Sequence, residues 1–231
     1  MTADAESAAR IKVLLADDEA MVRAGVRAII ETDTGIEVVA EAADGREAVE
    51  LVRSHRPDVA LLDIRMPRLD GLAAAAEIRT AAPDTAVVML TTFSEDEYIA
   101  RALGDGASGF LLKSGDPREL IAGVHAVAGG AAYLSPQVAK RVIAELSGGT
   151  GGGRMSRAAA ARGQVDGLTP REREVLALIG AGLSNAEIGR RLYLVEGTVK
   201  AYVSTILTRL EVKNRVQAAI VAYEAGLVDR S

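Results

Sequence analysis

The 231-residue chain has no cysteine and no tryptophan, and only two phenylalanines and two histidines. Without thiols, structural disulfides and thiolate metal sites are both excluded. Both histidines, His55 and His125, fall within helical patterns, which argues against a multi-histidine metal centre or histidine-based catalysis. Long apolar runs are missing too. None approaches the roughly 20 residues that a membrane helix needs, so no membrane partner is expected. The opening stretch MTADAESAARIKVLLADD meets acids almost at once and does not look like a signal peptide. A cytoplasmic location is therefore the expectation. Lysine is scarce as well: only five of the 27 basic residues are lysines, so arginine is the habitual cation.

What is present is a globular composition, 49% hydrophobic, long enough for one large domain or two small ones with proper cores. Charge is unevenly placed. Residues 1–147 carry 15 Lys/Arg against 24 Asp/Glu, whereas residues 148–231 carry 12 against 8. An acidic first part and a mildly basic second part suggest a different partner for each.

Short apolar runs alternate with helical patterns along the first part. IKVLLA (11–16), IEVVAEA, VALLD (59–63), TAVVMLT and SGFLLK read as strands, and the segments AMVRAGVRAIIE, GREAVELVRSH, LAAAAEIRTAA, DEYIARALGDG and PRELIAGVHAVAGG as helices. Five strands alternating with five helices over about 120 residues predict a doubly wound, five-stranded parallel sheet, an α/β fold. Its ligand crevice would lie at the carboxyl ends of the strands. Asp17, Asp18, Asp63, Thr91 and Lys113 all sit at such ends.

This first domain is placed at residues 1–132. A helix, SPQVAKRVIAEL, follows, and then SGGTGGGRMSRAAAARGQVDG, read as a Gly/Ser/Ala-rich flexible linker, so that 133–167 joins the two halves. Neither glycine-rich match is a nucleotide motif. The 147–153 run lacks the Lys-Ser/Thr of a phosphate loop, and GDGASG (104–109) lies between a helix and a strand in the wrong order for a dinucleotide fingerprint. From residue 168 the pattern is wholly helical. Four short helices, two opened by the capping boxes Thr169–Glu172 and Ser184–Glu187, fit an all-α helix-turn-helix domain over 168–231.

Three carboxylates at adjacent strand ends repel one another when unpaired. A hard divalent cation relieves that repulsion, and an all-oxygen site suits Mg²⁺. Asp63 would then be a carboxylate nucleophile able to form an aspartyl phosphate, with Lys113 and Thr91 within reach of the transferred group. A lysine in an arginine-rich chain suits a compact point charge.

The segments LLADDEAMVRAGV, DVALLDIRMPRLDG, VVMLTTF and GASGFLLK resemble the flavodoxin-like receiver domain of bacterial two-component response regulators, over roughly residues 11–130. The resemblance implies that Asp63 is the phosphoacceptor. It implies that Asp17 and Asp18 hold Mg²⁺ together with Asp63 and the backbone carbonyl of Arg65, and that Lys113 pairs with the phosphoryl oxygens. Thr91 would move towards the phosphate and Phe110 would be the coupled aromatic switch.

Residues 168–228 are similar to the LuxR-type helix-turn-helix, and the whole chain resembles a NarL/FixJ-type transcriptional regulator. In such a motif the second helix enters the major groove while its neighbours touch the backbone. That helix is expected from about 197 to 210. Val199, Val203, Ile206, Leu207 and Leu210 would form its buried side; Thr198, Lys200, Ala201, Ser204, Thr205 and Thr208 would face DNA. Lys200 is the expected groove contact, and Arg190, Arg191, Arg209 and Lys213 the expected phosphate contacts. Ser204 departs from relatives that carry a cation there. With 9 Lys/Arg against 7 Asp/Glu over 168–231, a single copy should bind weakly. Two copies on paired half-sites of promoter DNA are expected, with Val216, Ala219, Ile220 and Tyr223 on the last helix either packing in the core or joining the copies.

The expected function is a phosphorylation-dependent, DNA-binding transcriptional regulator, served by a sensor histidine kinase and dimeric when phosphorylated. It is not a dedicated enzyme: a phosphatase or phosphomutase with an aspartyl intermediate would need a second acid two residues after Asp63, where Arg65 stands. The rival of a phosphorylation-independent regulator leaves the acid cluster without a purpose.

Overall fold

The computed structural model describes residues 10–91, 107–136, 138, 139 and 151–228. Among the described residues the first half forms a six-stranded, all-parallel sheet ordered β2-β1-β3-β4-β5-β6. Its strands are β1 (Ile11–Ala16), β2 (Ile36–Ala42), β3 (Val59–Asp63), β4 (Ala86–Thr91), β5 (Gly109–Leu112) and β6 (Tyr133–Leu134). The expected five strands are all there. The two-residue β6 adds a sixth, at the edge beside β5, because such a short run carries no periodic signal. The helices are α1 (Ala20–Ile30), α2 (Gly45–His55), α3 (Gly71–Ala81) and α4 (Pro117–Ala128). The helix expected within 96–106 lies outside the described residues, as does most of the one expected over 135–146.

Both faces of the sheet are covered, which is why its central strands read as unbroken apolar runs. Val13, Leu15, Leu61, Val88, Leu90 and Leu111 pack with α1 and α4 on one face. Leu14, Leu62, Met89, Phe110 and Leu112 pack with α2 and α3 on the other. Side chains alternate between faces along each strand. Three of the helices start on an aspartate whose carboxylate accepts from their first free N–H groups: Asp44 for α2, Asp70 for α3 and Asp116 for α4.

The second half contains α5 (Gly151–Asp166), α6 (Pro170–Gly180), α7 (Asn185–Leu192), α8 (Glu196–Arg209) and α9 (Arg215–Ala225). The segment read as a flexible linker is therefore helical from Gly151 onwards. The alanine-rich RAAAAR has strong helix propensity, and Ala161 and Val165, one turn apart, are buried in the core of the helical half. That core also holds Val175, Leu176, Ile179, Ile188, Val199, Ile206 and Leu210. Both expected capping boxes form; Glu172 accepts from the Thr169 N–H at 2.7 Å and Glu187 from the Ser184 N–H at 2.7 Å. No described helix is long and apolar enough to cross a membrane.

One close backbone approach shapes the end of β3. A Cβ on Gly71 would lie 1.9 Å from the carbonyl oxygen of Asp63, so only glycine lets α3 start against that strand end. Gly71→Ala should destabilise the first half by at least ~2 kcal/mol through forced backbone displacement. Gly25→Ala, in α1 with nothing within 4 Å of the new methyl, should stabilise it by roughly 0.5–1 kcal/mol. Urea denaturation followed by circular dichroism measures both.

Candidate functional site

The sheet register alone brings the expected residues together. Ala16 is opposite Leu62, so Asp17 emerges beside Asp63. Asp63 is opposite Leu90 and Thr91 opposite Leu112, so Thr91 and Lys113 follow on the next two strands. Strands β1 and β3 are also where the strand order reverses, the position at which open α/β sheets bind ligands.

Asp17, Asp18 and Asp63 each offer a carboxylate oxygen, and these oxygens lie within 4.8 Å of one another. Asp17 and Asp63 are buried while Asp18 is exposed at the mouth. The Lys113 ammonium stands 2.7 Å from Asp63 Oδ1 and 2.9 Å from Asp17 Oδ2. Asp17 Oδ1 accepts from the Glu19 N–H at 2.9 Å. Asp17 Oδ2 is buried and, beyond that ion pair, has no aligned hydrogen bond. An all-oxygen set of three carboxylates with a buried, incompletely satisfied oxygen fits a hard divalent cation.

Burial pushes the Asp63 carboxyl up to about 6, and the negative charge of Asp17 adds to this, while Lys113 pulls it back. Burial works against the charged form of Lys113, but its hydrogen bonds and charge pairing with Asp63 and Asp17 outweigh that and hold it above the ordinary lysine range. Lysine therefore stays charged across the range in which Asp63 ionises.

Thr91 is buried, and its backbone carbonyl accepts from the Lys113 N–H at 2.9 Å. Phe110 is fully buried among Met89, Leu112 and their neighbours. Arg65 is exposed in the β3–α3 loop. Sequence reasoning missed Arg23. Its guanidinium donates to the Asp17 backbone carbonyl and pairs with Glu41 at 3.2 Å, tying α1 and β2 to the acidic corner. No motif signals it, since the contact joins three separate elements.

In the second half, α7 and α8 form the helix-turn-helix, joined by a turn in which Tyr193 has positive φ. Val199, Ile206 and Leu210 are buried, Val203 and Leu207 half-buried. Lys200, Ala201, Ser204, Thr205 and Thr208 are exposed and Thr198 partly so, with both halves of the chain in place. Arg190, Arg191 and Lys213 are exposed as well.

Arg209 is exposed too, and it also donates to Glu172 at 2.9 Å, clasping α8 to the start of α6. The last-helix residues differ from one another too. Val216 is buried and, with partly buried Ile220, belongs to the same apolar cluster as Val138 and Phe110. Ala219 packs into the helical core, and Tyr223 is exposed. A further missed residue is Arg215. It is buried, donates to Asn185 Oδ1 at 2.8 Å and to the Leu183 carbonyl, and burial lowers its pKa to about 10.

These two halves define a receiver-type α/β domain joined to a helix-turn-helix DNA-binding domain. Residues 13–125 match the family model of the response regulator receiver domain, and residues 166–222 that of the bacterial regulatory proteins of the luxR family. The nitrate/nitrite response regulator protein NarL of Escherichia coli K12 is 38% identical over 208 residues, 90% of this chain and 93% of NarL. The transcriptional regulatory protein DegU of Brevibacillus brevis is 37% identical over 225 residues, 95% of each. Among solved structures, the response regulator ChrA of a heme-sensing two-component system is 32% identical with a TM-score of 0.53, covering 94% of this chain and 98% of ChrA. A LuxR-family response regulator from Aurantimonas sp. is 34% identical with a TM-score of 0.57, covering 59% of this chain and 98% of that one. The chain belongs to the NarL/FixJ-type response regulators: it is a DNA-binding transcriptional regulator of a two-component system.

In metal-free protein, a ¹³C NMR titration of the Asp63 carboxyl should give a midpoint near 6. In Lys113→Met the midpoint should move further up, because the removed ammonium favours the carboxylate. A midpoint that stays put would show that Lys113 does not act on Asp63.

Proposed function

We propose that Asp63 is the phosphoacceptor, charged by a sensor histidine kinase or a small acyl phosphate, and that its phosphorylation drives this cytoplasmic protein to pair on promoter DNA. The observation that carries the reading is the buried carboxylate of Asp63 held 2.7 Å from Lys113 and beside Asp17. An Asp63 oxygen attacks phosphorus; the new O–P bond forms as the donor's N–P or O–P bond breaks and the donor leaves with the electron pair. Lys113 is placed to leave Asp17 and follow the charge onto the phosphoryl oxygens. Asp17, Asp18 and the Arg65 carbonyl would hold Mg²⁺ with Asp63, and the ion, when bound, supplies positive charge between the carboxylates and the incoming phosphoryl group. The Thr91 hydroxyl and the buried ring of Phe110 form the two-position switch that reports the new charge to the β4–β5 face. With Arg65 two residues after Asp63, no second carboxylate stands there to activate water, so the phosphoryl group is lost slowly and the protein is not a dedicated phosphatase.

Because the outward residues of α8 are exposed with the receiver present, assembly is the step that phosphorylation controls. Weak single-copy binding then becomes specific through two linked half-sites.

Sedimentation velocity of the full chain with Mg²⁺ and beryllofluoride should show a dimer that is absent without the phosphoryl mimic and absent in Asp63→Asn. DNA affinity should rise with the dimer, by about 10²-fold or more. The same oligomer in every sample would refute assembly as the switch.

A further inference from the structure

We propose that α8 reads its half-site chiefly through thymine methyl groups in the major groove, with Lys200 as the single cationic base contact. The inference deepens, and rests on, the reading of α8 as the helix that enters the groove. The stretch of its outward surface expected to face DNA carries Lys200, Ala201, Ser204, Thr205 and Thr208, all exposed, with Arg209 exposed at its C-terminal end. Two of the three hydroxyls are already committed. Thr205 Oγ1 donates to the Ala201 carbonyl at 3.0 Å, and Thr208 Oγ1 donates to the Ser204 carbonyl at 3.1 Å. Each hydroxyl has one proton, so neither threonine retains a donor for a base edge. With the proton spent, they can meet a base edge only as acceptors or through their methyl groups, and a methyl is what Ala201 offers as well.

A second, separate observation points the same way. The N-cap of α8 is Val195, which makes no side-chain cap and is 74% exposed. A Ser, Thr, Asp or Asn there would satisfy a free N–H and stabilise the helix; a β-branched hydrocarbon held in solvent does neither. The N-terminal residues of a recognition helix are those that reach base edges, and an exposed valine at that point has an apolar partner to meet there. Thymine is the only base with a methyl in the major groove, and alanine or threonine methyls are its usual apolar contacts. Lys200 pairs with Glu196 at 3.4 Å, which partly neutralises the cation nearest the N-terminal end of the helix and favours apolar contact there.

The test uses the full chain activated with Mg²⁺ and beryllofluoride. Random-duplex selection identifies the half-site, and anisotropy then compares it with duplexes in which single thymines are replaced by uracil. We expect thymine-rich half-sites and about a fourfold loss for each contacted methyl removed, the equivalent of burying one such group. Thr205→Val and Thr208→Val, which keep the methyl, should preserve sensitivity to uracil. Thr205→Ser and Thr208→Ser, which keep only the hydroxyl, should abolish it at one position each. Affinity indifferent to uracil at every position, with the valine variants losing binding, would overturn the proposal in favour of hydroxyl readout. Selection of no sequence at all, with Lys200→Ala and Val195→Ser binding as the parent does, would instead overturn the placement of α8 in the groove.

Discussion

Two carboxylates and one ammonium, closed off from water at the end of a parallel sheet, are the constraint on which the rest of the receiver depends. Asp63 and Asp17 are each held against the cost of burial by the same Lys113 Nζ. One cation shared between two anions leaves the cluster short of positive charge, and burial accordingly raises the Asp63 carboxyl to about 6. Such a site is incompletely compensated: it has room for more positive charge, and a group that brings negative charge must be accompanied by it. The parallel register of β1, β3, β4 and β5 sets the spacing, Gly71 lets α3 start directly behind the Asp63 carbonyl, and Arg23 fixes the Asp17 backbone.

In the helical half two arginines tie neighbouring helices together. Arg209 clasps Glu172, and Arg215 is buried with only neutral acceptors, the Asn185 amide oxygen and the Leu183 carbonyl. Such bonds hold α8 to α6 and α9 to the start of α7. Affinity for a polyanion scales with the number of phosphates neutralised. All the expected cationic contacts, Arg190, Arg191, Lys200, Arg209 and Lys213, are exposed, and on the reading proposed above two linked copies would double their number.

The last helix joins the two halves. Its Val216 and Ile220, which periodicity alone leaves open between core packing and pairing of copies, pack into an apolar cluster shared with Val138 and Phe110. Phe110 is the residue that family resemblance makes the switch aromatic. The same contiguous packing therefore touches the aromatic behind the acid cluster and the helix behind the recognition helix, while the recognition surface itself stays uncovered.

The receiver site is legible in the sequence because its parts are local: Asp17, Asp63, Thr91 and Lys113 each stand at the end of an apolar run, and the parallel register brings those ends to one edge of the sheet. The two capping boxes are legible for the same reason, being four-residue patterns. The sequence by itself thus determined the α/β and helical halves, the strand ends that carry Asp17, Asp63, Thr91 and Lys113, and the face that α8 buries. Only the tertiary structure decided that Gly151–Asp166 is a helix packed through Ala161 and Val165, that Arg209 pairs with Glu172, that Arg215 is buried, and that Arg23 braces Asp17. The reason is physical. Periodicity records which side of an element leaves water, whereas the partner a long side chain finds depends on which distant elements the fold brings within its reach.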